Sequence, residues 1–247
     1  MKKVLAIISA RGGSKEVPRK NILKFSGLPL VAQIFLKALQ CPEIDKVICS
    51  TDDDEIASIA KDFGVDVPFK RPSELAGDRV PLISSTKHAM LKMDELDYKA
   101  DIIVQLSPTC PFIKIETISQ SIKYVKDNDC DCAVSIKKIE HEHPYRARRL
   151  LKNNFFENFI QDINVEDKRF HSRQDLPPLY CTSGAIYTRK RHLLEKFDGS
   201  DFAMGKSRKG VIMDDIEAIN IDRMIDFNFA EFLLTQNISE EYIKKNA

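Results

Sequence analysis

Short apolar runs alternate with longer segments of helical periodicity along most of this chain. The predicted strands among these runs are KKVLAIIS, DKVICST, ADIIVQLS and CDCAVSIKK. The segments between them, which place apolar residues at helical spacing, are LPLVAQIFLKALQ from near Leu28, DDDEIASIAKDFG, LISSTKHAMLKMDEL and IETISQSIKYVKDN. Strands separated by helices are joined by right-handed crossovers and lie parallel in one sheet. The alternation therefore predicts an α/β fold with a mostly parallel sheet.

The alternation stops between about residues 140 and 180. There HPYRARRLLKNNFFENFI predicts a hairpin that turns at the two asparagines, and a charged loop and a Pro-Pro pair follow it. Afterwards SGAIYTRK predicts a strand, and AINIDRMIDFNFAEFLL predicts a strand, a turn and a final helix. The sequence contains neither an internal repeat nor a low-complexity linker. We therefore expect a single domain over residues 1–247, with an inserted flap or arm at about 140–180.

Composition argues against several classes of protein. A formal net charge of +1 over 247 residues is unlike that of a general nucleic-acid binder, which is usually strongly basic. No apolar run approaches the roughly 20 residues of a membrane helix, and the first run favours a strand over a signal peptide. The six cysteines form no C-x-x-C pair, and several lie in apolar runs. They predict reduced, buried thiols in a cytoplasmic protein.

Polar residues follow the predicted strands at the ends where an open α/β sheet binds its ligands. They fall in four stretches, which are Arg11-Gly12-Gly13, Ser50-Thr51-Asp52, Ser107-Pro108-Thr109 and Asn220-Ile221-Asp222. Because the carboxyl ends of parallel strands lie at one edge of a sheet, we expect these stretches to converge on a single crevice.

The most strongly charged stretch is the loop SARGGSKEVPRKN, residues 9–21. Its glycines allow backbone N–H groups to face an anion, and its lysines and arginines add charge-assisted contacts. The loop contains neither the Walker A pattern nor G-x-G-x-x-G. It therefore predicts a phosphate site of another type, for which a basic surface turn is the alternative.

Six motifs, in order, resemble those of the CMP-sialic acid synthetases, the cytidylyltransferases that activate nine-carbon 2-keto sugar acids. They cover nearly the whole chain and are ARGGSKEVPRKN, STDDDEIASIAKDFGV, RPSELAGD, LSPTCPF, RQDLPPLYCTSGAIY and INIDRMIDFNFAE. The resemblance implies a Rossmann-like three-layer α/β/α fold. It also implies a Mg²⁺-dependent reaction in which the anomeric hydroxyl of the sugar acid attacks the α-phosphorus of CTP and releases pyrophosphate. Such a transfer depends on positioning and charge neutralisation, which suits the basic loop.

The resemblance also assigns residues to a CTP site. Arg11 and Lys20 are expected to be catalytic by stabilising charge on the phosphates. Lys15 also matches the family's triphosphate-binding loop, and the alternative for Lys15 and Arg19 is a solvated position beside the site. The segment around Arg71 matches the wall of the family's cytosine pocket, for which a surface loop is the alternative. The implied CTP-binding set is Ala10, Arg11, Gly12, Gly13, Ser14, Lys20, Asn21, Arg71, Ala76 and Asp78.

A catalytic, metal-binding carboxylate is implied at Asp222. Oxygen ligands of this kind suit a Mg²⁺ ion that bridges phosphate oxygens. The family pattern is D-x-D, but this chain has Asn220 in the first position, which offers an amide oxygen without charge. Asp215 or Asp226 would then assist, and the alternative role of Asp222 is to cap the final helix.

The implied sugar site consists of Ser107, Thr109, Arg173 and Tyr180. The chain departs from the family where Ser107 replaces Gln, where Ser183 replaces Asn and where Phe112-Ile113 replaces Leu-Arg. Compared with glutamine, the short side chain of Ser107 either leaves room for a larger sugar or loses an amide contact with the sugar. The resemblance implies N-acetylneuraminate or a relative as the acceptor. The departures keep legionaminate, pseudaminate and the deaminated nonulosonate open as alternatives, and the eight-carbon acid Kdo is the rival of shorter chain.

The resemblance implies contacts for the arm as well. Arg173 is expected to pair bidentately with the carboxylate of the sugar. The region around Pro144 to Pro178 is expected to form a homodimer in which the arm reaches the partner's site.

Other chemistry is less well supported by the residues. Cys130 and Cys132, with two nearby histidines, match no structural zinc spacing, and the G-x-S-x-G pattern of serine hydrolases is missing. The run DDDE from Asp52 predicts an acid-rich helix start. A nucleotide sensor without catalysis is the alternative from another class, because Asn220 weakens the implied metal site.

Overall fold

The computed structural model describes residues 2–128, 130–160 and 172–236. Its strands are β1 (Val4–Ser9), β2 (Lys24–Phe25), β3 (Leu28–Pro29), β4 (Lys46–Ser50), β5 (Ile102–Leu106), β6 (Cys132–Lys138), β7 (Arg148–Leu150), β8 (Phe156–Asn158), β9 (Tyr180–Lys190) and β10 (Arg208–Met213). Its α-helices are α1 (Leu30–Gln40), α2 (Asp54–Asp62), α3 (Leu82–Glu95), α4 (Ile115–Lys126), α5 (Arg191–Glu195) and α6 (Met224–Thr235).

A six-stranded sheet in the order β10-β6-β9-β5-β1-β4 forms the centre of the fold. Strand β1 pairs in parallel with β4 and β5, and β6 pairs in parallel with β10. Strand β9 runs antiparallel between β5 and β6 and so joins the two parallel groups. The predicted, mostly parallel sheet is confirmed.

Apolar side chains of β1 alternate between two cores, one on each face of the sheet. Ala6 and Ile8 pack in the core that contains residues of α1, α2 and α4, whereas Leu5 and Ile7 pack in the core that contains residues of α3. This alternation is the two-residue period of a strand buried on both faces. The predicted three layers are therefore confirmed.

The predicted helices are confirmed, with small shifts at their ends. Helix α1 begins two residues after Leu28, because Leu28–Pro29 pairs with β2 in a short hairpin. Helix α2 begins after Asp53, whose carboxylate accepts hydrogen bonds from the backbone N–H groups of Glu55 and Ile56. Gly64 follows the helix with φ +78°, as expected of a residue that ends a helix in the left-handed conformation.

One predicted strand is wrong, and besides the short hairpin β2–β3 one strand of the central sheet was not predicted. Residues 218–222 form no strand; instead Ile221 donates its backbone N–H to the carbonyl of Thr109 at 2.8 Å. The unpredicted strand β10 lies at the edge of the sheet, with Val211 and Met213 buried and Ile212 exposed. Because only one face of β10 is buried, its alternation of buried and exposed residues is too short to be recognised from the sequence.

The predicted hairpin of the arm is confirmed by the antiparallel pairing of β7 with β8. Asn153 and Asn154 adopt φ values of +57° and +63° at its turn, a conformation that asparagine tolerates better than most residues. The charged part of the predicted arm over 161–171 lies outside the described residues. The single-domain prediction for residues 1–247 stays a prediction.

The cysteines are reduced and mostly buried, as their apolar surroundings predicted. All six cysteines lie in the described ranges and are free thiols, five of them buried. Over 2–128, 130–160 and 172–236, no helix combines the length and the apolar character that crossing a bilayer requires.

Candidate active site

A cavity of about 590 Å³ opens at the carboxyl ends of β1 and β5. Its wall consists of residues from the loop 9–21, the segment 71–85, the turn 107–109 and Asp222. Three of the four predicted stretches thus contribute to one cavity. The fourth contributes indirectly, because Asp52 accepts a hydrogen bond from Nη2 of Arg71 at 2.9 Å.

Lys20 joins the two ends of the chain within this cavity. Its Nζ donates to the carbonyl of Ile221 at 2.6 Å and to Oδ1 of Asp222 at 3.1 Å. Lys20 is only 8% exposed, whereas the side chain of Asp222 is 65% exposed. The apolar stem of the lysine is therefore buried while its ammonium lies beside an open carboxylate.

Short contacts hold the basic loop in shape. Asn21 donates from Nδ2 to the carbonyl of Arg11 at 2.9 Å. A Cβ atom on Gly12 would lie 2.3 Å from Oδ2 of Asp53, so that glycine allows the loop to approach the start of α2. Arg19 pairs with Asp53 and Glu55 there and does not line the cavity.

Two further cations of the loop meet Asp78 across the cavity mouth. Nη1 of Arg11 lies 2.9 Å from Oδ1 of Asp78, and Nζ of Lys15 lies 2.5 Å from Oδ2. The hydrogen bond from Lys15, together with the charges of Lys15 and Arg11, lowers the pKa of Asp78. Lys15 therefore lines the cavity mouth, and its role toward a triphosphate stays a prediction.

Three buried polar atoms of lining residues have no hydrogen-bond partner within the described chain. They are Oγ of Ser9, Oδ1 of Asn21 and Nε of Arg71. Arg71 is 4% exposed and is held by Asp52 and by its own backbone N–H, which donates to the carbonyl of Thr51 at 2.8 Å. Buried polar groups are nearly always paired, so these atoms are suited to a polar ligand.

The wall beside Arg71 combines apolar side chains with backbone. Leu75 and Ala76 line the cavity, and Ser85 donates from Oγ to the carbonyl of Leu75 at 3.0 Å. A flat heterocycle requires this combination of apolar surface and a few fixed polar groups.

The predicted sugar residues divide into two groups. Ser107 and Thr109 line the cavity, and their hydroxyl oxygens lie 2.8 Å apart. Arg173 lines a separate cavity of about 380 Å³ in the arm, where its Nη1 lies 3.3 Å from Nδ1 of His141. Tyr180 begins β9 and pairs with Lys138. The predicted roles of Arg173 and Tyr180 therefore stay predictions.

Some residues of the predicted CTP set do not line the cavity. Ala10 is fully buried in the core, and neither Gly12 nor Gly13 is part of the lining. Arg11, Ser14, Lys20, Asn21, Arg71, Ala76 and Asp78 all are.

The side chains around Asp222 decide whether this part of the cavity suits Mg²⁺. The described residues include no group of three His, Cys, Asp or Glu side chains placed to hold a metal. Asp226 accepts from the backbone N–H groups of Asp222 at 3.2 Å and of Arg223 at 2.7 Å, so it serves the start of α6. The helix-capping role considered for Asp222 therefore falls to Asp226.

Asp222 itself keeps room for a cation. Its two oxygens each make one contact, with Lys20 and with Asn220, and a carboxylate offers about four acceptor positions. Mg²⁺ is commonly held by one or two carboxylates plus substrate phosphates and water. The residues present fit an ion that is shared with a bound triphosphate.

Sequence reasoning missed two buried charged residues behind the turn 107–109. Nζ of Lys37, on α1, donates to the carbonyl of Pro111 at 2.5 Å, and Glu217 accepts from the backbone N–H of Lys114 at 2.9 Å. Burial raises the pKa of Glu217 and lowers that of Lys37 to about 7. The burial of Lys37 could have been predicted from the sequence, because Lys37 lies three residues after Ile34 and therefore on the apolar face of α1.

A cavity lined by several cations and by the open carboxylate of Asp222, at the carboxyl ends of a mostly parallel sheet, is typical of the nucleotidyltransferase class. The model of the Cytidylyltransferase family matches residues 5–231. The chain therefore belongs to the cytidylyltransferase family, as its motifs predicted.

Relatives match along nearly their whole length. A CMP-N,N'-diacetyllegionaminic acid synthase from Campylobacter jejuni is 31% identical over 243 residues, which are 97% of this chain and 98% of that protein. A pseudaminic acid cytidylyltransferase from the same species is 31% identical over 239 residues, 95% of this chain and 97% of the relative.

A solved structure shares the fold. It is a CMP:2-keto-3-deoxy-manno-octonic acid synthetase complexed with CTP, which superimposes with a TM-score of 0.70 at 18% identity and covers 95% of this chain and 99% of its own. At that identity the similarity concerns the fold alone.

Proposed function

We propose that this chain transfers CMP from CTP to the anomeric hydroxyl of a nonulosonic, sialic-type 2-keto sugar acid and releases pyrophosphate. The observation that carries the proposal is the 3.1 Å contact between Lys20 and Asp222, which puts a cation of the amino-terminal loop beside the exposed carboxylate. Family membership and the names of the full-length relatives support the same chemistry.

The basic loop would bind and orient the triphosphate. Arg11 and Lys15 meet Asp78 at the mouth, and a triphosphate of greater charge would compete for both cations. The oxygen of the anomeric hydroxyl forms a bond to the α-phosphorus, its proton passes to solvent, and the bond from the α-phosphorus to the bridging oxygen breaks to release pyrophosphate. Lys20 lies where it would stabilise the charge that develops. Mg²⁺, bound by Asp222 together with the phosphates, would add further charge neutralisation.

The wall of the segment 71–85 would receive the cytosine ring. Arg71 offers an Nε–H donor that no described residue accepts, and its guanidinium is fixed by Asp52. Leu75 and Ala76 supply the apolar and backbone surface beside it. Donors fixed in this way cost little entropy when the base binds.

We propose a nine-carbon acid of the legionaminate or pseudaminate type as the acceptor. The relatives that carry these names match along nearly their full length. Ser107 presents a short hydroxyl to the cavity and is bonded to Thr109, which leaves space beside the phosphate site.

A panel assay tests the proposed activity. The protein is incubated with CTP, Mg²⁺ and, separately, N,N'-diacetyllegionaminate, pseudaminate, N-acetylneuraminate, the deaminated nonulosonate or Kdo. Pyrophosphate release and the mass of the CMP-sugar are measured, with Asp222→Asn as the control that keeps shape but removes charge. We expect a CMP-nonulosonate from the wild type and much less from the variant. CTP binding without product from any acid would instead support the nucleotide sensor.

We further propose a cytoplasmic homodimer formed through the arm, with Arg173 and Tyr180 acting at the partner's cavity. The hairpin β7–β8 and its turn expose large apolar side chains, with Leu150 70%, Phe155 69% and Phe156 67% exposed. Exposed apolar clusters of this kind mark interaction surfaces. Sedimentation of the wild type and of Phe156→Glu tests the dimer: a wild-type monomer would refute it, and a dissociated variant would support it.

A further inference from the structure

A series of side-chain hydrogen bonds runs along the cavity wall from β5 to the carboxylate of Asp222. The hydroxyl oxygens of Ser107 and Thr109 lie 2.8 Å apart, and Oγ1 of Thr109 donates to Oδ1 of Asn220 at 2.5 Å. Nδ2 of Asn220 then donates to Oδ2 of Asp222 at 2.8 Å. Lys20 contacts the other oxygen of Asp222, so that carboxylate is held on both sides.

The chemistry of these groups decides which way the amide of Asn220 faces. An ionised carboxylate only accepts hydrogen bonds, so the NH₂ group must face Asp222. The amide oxygen is then left to accept from the hydroxyl of Thr109. Asn220 consequently uses its oxygen on the turn 107–109 rather than offering it as a cation ligand.

Backbone contacts fix the same segment. The N–H of Ile221 donates to the carbonyl of Thr109 at 2.8 Å, and Lys20 donates to the carbonyl of Ile221 at 2.6 Å. Residues 220–222 are therefore held between the turn 107–109 and the basic loop. The one rotatable group that faces the cavity is the side chain of Asp222, and Asn220 restrains it.

An aspartate at position 220 would behave differently. Its carboxylate would lie about as close to Asp222 as the amide does now, at 2.8 Å, and two like charges at that distance repel unless a cation lies between them. The amide replaces that repulsion with a hydrogen bond. It also leaves one negative charge fewer near the cavity, and cation affinity follows the charge of the ligands.

We propose that Asn220 is a positioning residue that orients the carboxylate of Asp222 and makes divalent-cation binding depend on the bound triphosphate. This inference rests on the proposed function. The nucleotide-free protein binds the cation weakly because one carboxylate remains. The phosphates of CTP supply the missing charge, so the cation enters with the nucleotide.

Titration of the nucleotide-free protein with Mn²⁺, followed by the electron paramagnetic resonance signal of free Mn²⁺, tests the charge argument. We expect Asn220→Asp to bind Mn²⁺ about tenfold more tightly than the wild type, since an added unit charge a few ångströms away changes affinity by roughly that factor in water. Asn128→Asp is the matched control, because it adds the same charge at an asparagine that bonds to Lys2 and lies outside the lining of the active-site cavity. Equal affinities of wild type and Asn220→Asp would overturn the inference.

Steady-state kinetics of Asn220→Ala test the positioning role. We expect kcat to fall by about tenfold, the factor for losing one hydrogen bond to a charged group, while KM for CTP changes less than twofold. A variant that was merely unfolded would lose CTP affinity, which calorimetry measures directly. Unchanged kcat would refute the positioning role.

The two tests also separate this inference from the proposed function. The Mn²⁺ titration needs no acceptor sugar. If no acid of the panel yields product but Asn220→Asp still binds Mn²⁺ more tightly, the charge argument stands and the proposed activity fails.

Discussion

Replacing Lys37 by methionine should change how the stability of this protein depends on pH. Lys37 is 4% exposed, and its ammonium is bonded to the carbonyl of Pro111. Burial lowers its pKa from 10.5 to about 7, while the charge of Glu217 partly offsets the shift. In the unfolded chain the lysine keeps its ordinary pKa. Between the two values the unfolded state therefore binds more protons than the folded state, so the free energy of unfolding rises with pH.

The size of this effect follows from the two pKa values. From pH 7 to pH 9.5 the lysine should add about 3 kcal/mol to the stability of the wild type, with a slope that approaches about 1.4 kcal/mol per pH unit. Methionine keeps a similar stem but cannot titrate, so this contribution is missing from Lys37→Met. The variant also leaves the Pro111 carbonyl unpaired, which shifts its stability by a constant amount.

Urea unfolding followed by circular dichroism in the presence of a reductant measures the difference. Wild type and Lys37→Met are compared at half-unit steps of pH, so that groups common to both cancel. Gln33→Met is the matched control: Gln33, also buried on α1, donates to the carbonyl of Phe25 at 3.1 Å but does not titrate. A difference between wild type and Lys37→Met that stays flat from pH 7 to pH 9.5 would refute the reasoning.

Three further predictions concern the reaction. Lys20→Ala should lower kcat by about 10²–10³, the usual loss for one donor that stabilises developing charge, and an unchanged kcat would remove Lys20 from the catalytic set. Arg173→Lys should raise KM for the sugar acid more than KM for CTP, because a point charge cannot make the bidentate contact; equal effects on both would contradict that role. Removal of divalent ions with EDTA should abolish turnover and added Mg²⁺ should restore it, whereas full activity in EDTA would exclude Mg²⁺ as the cofactor.

Local patterns in the sequence predicted most of the fold. Strand β1 and helix α2 were predictable because their two-residue and 3.6-residue periods are complete and their ends carry recognisable signals, such as Asp53 before α2 and Gly64 after it. Strand β10 was missed because an edge strand buries one face only. The segment 218–222 was misassigned because Ile219 and Ile221 pack in the cluster that contains Phe112 instead of pairing in the sheet.

The candidate site was predictable in its residue types but not in its contacts. The basic loop, Arg71 and Asp222 stand out by motif and by charge, and each lines the cavity. Motif matching could not reveal that Lys15 meets Asp78 or that Arg173 lies in a separate cavity of the arm. Those facts depend on where segments distant in sequence come to lie.

The sequence by itself determined the order of most strands and helices, the basic loop after β1 and the family, because each is encoded in neighbouring residues. The tertiary structure alone decided that Lys20 meets Asp222 across 202 positions, that the amide of Asn220 is committed to Thr109, and that Lys37 is buried beside Pro111. The physical reason is that period and composition report only local conformation. The pairing of two charges or the desolvation of an amine depends on partners that only the folded chain brings together.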